Sequence, residues 1–303
     1  MAKILVTGST GLLGTNLVNR LRVFNDVVGI SRKDGYDLRD KEKVAGFIDK
    51  WRPDVVYHLA ANAAESRGQV SPIDMTENNL NIFLNVLVPS INNKVKRFIY
   101  TSSVAVYGEA EVPYAEDDIP KPKDVYGVNK LACEQILKIL SKVHNFDYTI
   151  LRPHNIYGPH QDMRSPYKNV VALFMRSLME DKEITIFGEG KMRRAFSYVN
   201  DVVNILVRSL DESFKNQTVN VGSSIETDIG DLLKMIEKVS GKTARVNHQP
   251  ARPQEIYLFL ANHKKLNILH SYHETPLEEG LQKTWDFLTL PELEEQNNEI
   301  RTI

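Results

Sequence analysis

Tyr126 and Lys130 stand four residues apart at the head of a run, Tyr126 to Val143, whose apolar residues Val128, Leu131, Ile136, Leu137 and Leu140 recur near helical spacing. On a helix, residues four apart share a face, so phenol and ammonium sit side by side. A phenol ordinarily keeps its proton up to pH ~10. A neighbouring ammonium favours the phenolate and lowers that value, which poises a base. Upstream, Thr101-Ser102-Ser103 closes a strand-like run, Lys96 to Thr101. Hydroxyls at the carboxyl end of a parallel strand face the crevice where such sheets bind ligands. A solvated helix face and a set of backbone caps would use the same residues. The elements around them decide.

The first of those elements is Lys3-Ile4-Leu5-Val6-Thr7, short, apolar and partly β-branched, as a buried strand should be. Gly8-Ser9-Thr10-Gly11-Leu12-Leu13-Gly14 follows at once, then a helical pattern through Leu17, Val18 and Leu21. Strand, glycine turn and helix form the context of a dinucleotide site, where the backbone approaches a pyrophosphate at the helix N-terminus. The spacing is Gly-x-x-Gly-x-x-Gly rather than Gly-x-Gly-x-x-Gly. Asp26 to Ile30 reads as the second strand. An acid at its end would accept hydrogen bonds from the adenosine ribose and mark NAD. Ser31-Arg32 stands there instead, and a guanidinium can pair a 2′-phosphate, as in NADP, or lie over the adenine. Asp37-Leu38 puts a carboxylate close to the expected adenine amine.

Further on, Lys41 to Trp51 reads as a helix stopped by Pro53. Asp54 to Leu59 is a strand ending in the small residues Ala60-Ala61, which permit close cofactor approach. Met75 to Val88 is a helix carrying Asn78-Asn79, and Asp147 to Leu151 is a strand running into Arg152-Pro153-His154-Asn155-Ile156-Tyr157-Gly158-Pro159. Strands and helices alternating at this length predict an α/β fold, a Rossmann-like doubly wound parallel sheet covered on both faces.

Past Pro159 the rhythm changes. Helices are expected at Asn169–Met179, Asp201–Leu210, Ile229–Val239 and Pro276–Leu288, with strands at Ile184–Phe187 and Thr218–Val221. Residues 1–155 therefore read mainly as the dinucleotide-binding domain. Residues 156–289 read mainly as a smaller substrate-binding lobe with segments returning to the first domain, and 290–303 as a polar tail that frays.

With 303 residues, 42% hydrophobic and 25% charged, the chain has the composition of a globular protein with a packed core. A net charge of −1 with interspersed signs offers no general field for nucleic acid or an anionic membrane. Cys133 is the only cysteine, so no internal disulfide forms, and its mid-helix position suits a small core residue better than a nucleophile. No apolar run approaches the ~20 residues of a membrane span. Nor does a basic, apolar leader precede the first strand. These features predict a soluble, cytoplasmic protein, and no metal-ligand pattern stands out.

Taken in order, the motifs resemble the extended short-chain dehydrogenases/reductases of the nucleotide-sugar epimerase/dehydratase family. The resemblance runs from Lys3 to Leu288 and rests on Gly8/Gly11/Gly14, Asp37-Leu38, His58-Leu59-Ala60-Ala61, Ser103 to Gly108, Tyr126/Lys130, Arg152 to Pro159, Arg194 and Arg252. It implies NAD as cofactor, with NADP the alternative that Ser31-Arg32 leaves open. The residues implied around the cofactor are Gly8, Gly11, Leu12, Leu13, Gly14, Ser31, Arg32, Asp37, Leu38, Leu59, Ala60, Ala61, Asn79, Thr101, Tyr126, Lys130 and Pro153. By the same resemblance Tyr126 is the catalytic base, Lys130 holds the nicotinamide ribose and lowers the tyrosine pKa, and Ser103 bonds the sugar oxygen. Asn155, Arg194 and Arg252 would bind the diphosphate of a nucleotide-diphosphate sugar, for which guanidinium forks are well shaped. Homodimers through the helices at Asn79–Val88 and Tyr126–Val143 are common among such relatives.

Ser103-Val104-Ala105-Val106-Tyr107-Gly108 bears on the reaction. Family dehydratases and decarboxylases resemble Thr-Asp-Glu-Val-Tyr-Gly or Ser-Glu-Val-Tyr-Gly there, with an acid that Val104 and Ala105 do not supply. The pattern is similar to the Ser-x-x-Val-Tyr-Gly of UDP-glucose 4-epimerases. The expected chemistry is removal of the sugar 4-hydroxyl proton by Tyr126 as C4 gives up hydride, then return of hydride to the other face of the 4-keto sugar. A 4-keto reductase using NADPH would share these motifs. A non-catalytic nucleotide-binding scaffold would share the fold, though it needs no poised base.

Overall fold

Six strands, all parallel, stand in the order β10-β5-β4-β3-β1-β2 in a computed structural model that describes residues 1–163, 169–251 and 258–290. In chain order the first half comprises β1 (Lys3–Thr7), α1 (Leu12–Leu21), β2 (Asp26–Ile30), α2 (Lys41–Trp51), β3 (Val55–His58), α3 (Glu65–Val70), α4 (Pro72–Thr76), α5 (Ile82–Asn92), β4 (Arg97–Thr101), α6 (Val125–His144) and β5 (Asp147–Pro153). The second half comprises β6 (Ile156–Tyr157), α7 (Val170–Met179), β7 (Ile184–Phe187), β8 (Arg193–Ala195), β9 (Ser197–Tyr198), α8 (Val199–Arg208), β10 (Gln217–Val221), β11 (Glu226–Asp228), α9 (Ile229–Ser240), β12 (Val246–Gln249), β13 (Leu258–Phe259), α10 (Lys264–Leu269) and α11 (Leu277–Leu288).

Alternation along β1 shows why the sheet is covered twice. Ile4 and Val6 point into one apolar cluster with Leu17 and Leu21 of α1 and Val199, Val203 and Leu206 of α8. Leu5 points the other way, into a cluster with Val44 and Ile48 of α2, Phe83 and Leu87 of α5, and Cys133 and Leu137 of α6. A strand buried on both faces reads as continuous apolar sequence, which is what Ile4-Leu5-Val6 is. Cys133 is a buried core residue.

β1 pairs with β2 on one side and β3 on the other, so chain order reverses at β1 and a crevice opens beyond its carboxyl end. Into that crevice run the Gly8 turn after β1, Leu59 to Ala61 after β3, and Thr101 to Ser103 after β4. Beyond β5 the small sheets β11-β8-β13, β12-β7 and β6-β9 form, while β10 returns to the main sheet beside β5.

Several expected elements shift. The Met75–Val88 helix divides into α4, a π turn at Glu77–Asn81 and α5, and α5 runs on to Asn92 with Pro89 inside it. The Asp201–Leu210 helix instead spans Val199–Arg208. Strands β8, β9 and β11, two or three residues each, were too short to show a period. No helix among the described residues is long and apolar enough to cross a membrane.

Candidate active site and cofactor site

Asp124 starts α6. Its Oδ1 accepts the Gly127 backbone N–H at 2.7 Å, satisfying a first-turn donor that the helix cannot pair itself. The next residues are Val125 and Tyr126, so the cap fixes where the phenol leaves the helix. Gly127 lets this turn pack tightly: a Cβ there would lie 2.6 Å from the Ala105 carbonyl oxygen and 3.0 Å from Pro122 Cβ. Tyr126, 6% exposed, thereby packs against Ala105 and Met75.

One turn on, Lys130 is 3% exposed. Its ammonium donates to the Thr101 carbonyl at 2.8 Å and lies 4.9 Å from the Tyr100 ring centre and 5.6 Å from that of Tyr126. The sequence-predicted pair is therefore a real neighbourhood, anchored to the end of β4. Burial pushes the Lys130 pKa down to about 8. Ser103, also buried, caps a short 3₁₀ turn, its Oγ accepting from the Ala105 N–H at 3.1 Å. Thr101 Oγ1 and Ser102 Oγ are buried without a hydrogen-bond partner among the described residues.

Glu134, one further turn along the same face, escaped the sequence reading. It holds Arg152 at the end of β5 by two bonds, Nε to Oε1 at 2.9 Å and Nη2 to Oε2 at 2.6 Å, with both side chains nearly inaccessible. Arg152 Nη1 reaches the Tyr107 hydroxyl at 2.7 Å, and that hydroxyl donates to Asn220 Oδ1 on β10 at 2.7 Å. The signal was present as a third member of the i, i+4, i+8 series on α6, but charge on an amphipathic run looks solvated until its partner strand is known.

The crevice fits a dinucleotide on three counts. Gly8 has φ +70°, and a Cβ there would lie 2.9 Å from the Ala60 backbone, while one at Gly14 would lie 2.1 Å from the Gly8 carbonyl oxygen. Gly11 gives α1 no side-chain cap, and Thr15 makes the first intrahelical bond, so the N–H groups of Leu12, Leu13 and Gly14 precede the helical ladder. Asn79, 2% exposed in the π turn, spends its amide N–H on Met75 and Asn62 carbonyls at 2.8 and 3.1 Å, while its Oδ1 is buried without a partner among the described residues. Below the turn, the Thr7 hydroxyl lies 3.0 Å from His58 Nδ1. Burial takes that imidazole down to about 3, so it stays neutral.

Asp37 is held by Arg39, which donates from Nε at 3.0 Å and Nη2 at 2.5 Å, and this hydrogen-bonded pairing lowers the carboxyl to about 2. A cavity of about 530 Å³ opens beside it, lined by Asp37, Arg39, Asp40, Glu77, Asn81, Leu84 and Asn85. Leu38 is buried in the core, and Pro153 is buried at the end of β5. Asn155 adopts a left-handed φ of +41° and donates to the Ala195 carbonyl at 3.0 Å, next to Arg194 on β8. Asn155 thus lies against the strand that carries Arg194. Arg252 lies outside the described residues.

The family model for the NAD dependent epimerase/dehydratase family matches residues 4–222. The chain belongs to that family. The match takes in the glycine turn, Ser103, Tyr126, Lys130, Asn155 and Arg194. Among solved structures, a Thermotoga maritima UDP-glucose 4-epimerase with UDP-glucose superposes with TM-score 0.88 at 29% identity, covering 94% of this chain and 98% of that one. A Bacillus cereus UDP-glucuronic acid 4-epimerase in complex with UDP-glucuronic acid and NAD gives TM-score 0.85 at 29% identity, with the same coverage. A UDP-N-acetyl-alpha-D-glucosaminuronate decarboxylase of Bacillus cytotoxicus is 26% identical over 313 residues, 93% of this chain and 96% of the relative. The cofactor of the family is NAD, and the cradle around Gly8 and Asn79 suits it.

Proposed function

We propose that this NAD-dependent nucleotide-sugar epimerase inverts C4 of UDP-glucose and UDP-galactose. The single observation carrying the choice of reaction is the turn after Ser103. Val104 and Ala105 are 2% and 4% exposed and hold no proton to exchange, where a dehydratase or decarboxylase needs an acid. Named relatives that act on UDP-glucose support the substrate.

In this reading, Leu12, Leu13 and the glycines hold the NAD diphosphate at the α1 N-terminus, Ala60 and Pro153 wall the cofactor, and the cavity by Asp37 receives the adenine. NAD, when bound, supplies the hydride acceptor and donor for C4. Tyr126 takes the 4-hydroxyl proton and later gives it back. Lys130 stabilises the phenolate while its ammonium is kept in place by the Thr101 carbonyl. The Ser103 hydroxyl bonds the sugar oxygen, while Asn155 at the end of the first domain and Arg194 and Arg252 from the lobe of residues 156–289 bind the nucleotide diphosphate. Exposed apolar side chains on the outer faces of α5 and α6, among them Val88, Val128 and Ile139, support pairing as a homodimer.

Replacing Tyr126 with Phe tests the role directly. Turnover of UDP-galactose should fall by about 10²–10⁴-fold, the usual range for a lost general base. UDP-sugar affinity measured by calorimetry should hold. Undiminished turnover would remove Tyr126 from the chemistry.

A further inference from the structure

Beside Asn155 two histidines are buried, His154 at 4% and His263 at 6% exposure. His154 follows β5 directly, and His263 stands at the head of α10. Their rings are nearly parallel, 19° apart in plane with centres at 5.9 Å, and the Tyr272 ring lies 6.0 Å from that of His263. His154 Nδ1 is 3.2 Å from the Ala195 carbonyl, which can only accept, so that nitrogen carries the proton. The same carbonyl accepts from Asn155 Nδ2 at 3.0 Å. Two consecutive side chains therefore hang from one oxygen of β8, while the Asn155 carbonyl accepts the Ser197 N–H at 3.1 Å. His154 Nε2 and both ring nitrogens of His263 are buried without a hydrogen-bond partner among the described residues. Gly222, at φ +141°, lets the backbone close on the ring: a Cβ there would lie 2.7 Å from His154 Nε2.

We propose that His154 and His263 are positioning residues, a neutral imidazole pair that sets Asn155 for the nucleotide, and that acid loosens this subsite. Asn155 Nδ2 carries two hydrogens, so the bond to Ala195 fixes the amide and leaves one donor for an oxygen of the nucleotide. A second proton on His154 would sit on Nε2, against Gly222, where no described residue accepts it. Burial accordingly takes His154 down to about 3 and lowers His263 as well, from an ordinary 6.5. The titratable group that acts on His154 is His263. Glu274 acts on His263 and favours its protonation, but that carboxylate already accepts the Ser223 hydroxyl and both the N–H and hydroxyl of Ser224. Asp201 acts on Tyr272 and is bound by Thr275. With folded values below the ordinary one, the pair supports the closed arrangement fully above pH 6.5. Below it, any arrangement that exposes the pair gains up to about tenfold per pH unit for each imidazole. The inference rests on the nucleotide lying at Asn155 and not on which sugar is turned over.

Calorimetric titration of the NAD-loaded protein with UDP at pH 7 and pH 5 tests this without turnover, and the titration of UDP itself cancels between variants. Relative to His263→Leu, which fills the space and does not titrate, the unaltered protein should lose about tenfold more UDP affinity between the two pH values. His154→Asn keeps a donor for the Ala195 carbonyl and cannot titrate in this range. It should bind UDP as the unaltered protein does at pH 7 and lack the extra acid loss. His154→Phe, which removes the donor, should weaken UDP about fivefold at pH 7, the scale of one hydrogen bond. If the acid loss is the same in the unaltered protein and all three variants, or if the variants shift the melting temperature alone, the pair only fills the core and the proposal is overturned. UDP bound at neither pH by the unaltered protein would remove the nucleotide from Asn155, and the inference with it.

Discussion

Burial pulls the Lys130 pKa down to about 8, with the ammonium bonded to the Thr101 carbonyl and flanked by the rings of Tyr100 and Tyr126. Below that value the ammonium persists and favours the Tyr126 phenolate; above it, the support is lost. Turnover should therefore decline as pH rises through about 8. Stability moves the other way. The ordinary lysine value is 10.5, so between about 8 and 10.5 the unfolded chain binds the proton that the folded chain has released. This group's contribution to stability therefore rises with pH across that window. A kcat profile measured beside urea midpoints separates the two, since a decline in kcat without a fall in midpoint is the expected result. Lys130→Arg, whose guanidinium keeps its proton, should lower kcat and abolish the alkaline limb. An unchanged limb in that variant would assign it elsewhere.

Among the elements, the β1-turn-α1 unit tolerates change least. Gly14→Ala would drive a methyl into the Gly8 carbonyl and Ser9 backbone, at 2.1 and 2.7 Å, and neither can withdraw as a flexible side chain would. The expected cost is about 1–3 kcal/mol of stability together with loss of NAD binding. Gly46→Ala on α2 meets nothing within 4 Å, so it should stabilise by about 0.5–1 kcal/mol and leave NAD affinity alone. Thermal melts of both variants with and without NAD check the contrast.

This unit was legible in the sequence because its glycines sit between a continuous apolar run and a helical period, two signals that local geometry alone produces. The Tyr126/Lys130 pairing was legible for the same reason. Less could be read where a residue's meaning lies in a distant partner. Glu134 needs Arg152, 18 residues on, and Asn79 owes its orphaned oxygen to a π turn that no apolar spacing announces. The pairing of Asp37 with Arg39 is a further contact that an irregular loop does not signal.

Across the whole molecule, β10 ties the later half of the chain to the chemistry. Asn220 on that strand takes the Tyr107 hydroxyl, Tyr107 meets Arg152 at the end of β5, and Arg152 is clasped by Glu134 on the helix that carries Tyr126 and Lys130. Asn155, just beyond β5, bonds the carbonyl of Ala195 beside Arg194. Asn155, one of the groups proposed for the nucleotide, thus follows the strand whose Arg152 is clasped by the helix that carries Tyr126 and Lys130. Under the proposed epimerisation the hydride returns to the same sugar, and the cofactor ends each cycle as it began. The most direct measurement is chromatography of UDP-galactose incubated with the protein and NAD, with absorbance at the reduced-nicotinamide band followed alongside. The account predicts UDP-glucose accumulating to equilibrium with no net change in that band. Failure to form the C4 epimer, or product formed only with stoichiometric consumption of NADPH, would contradict it.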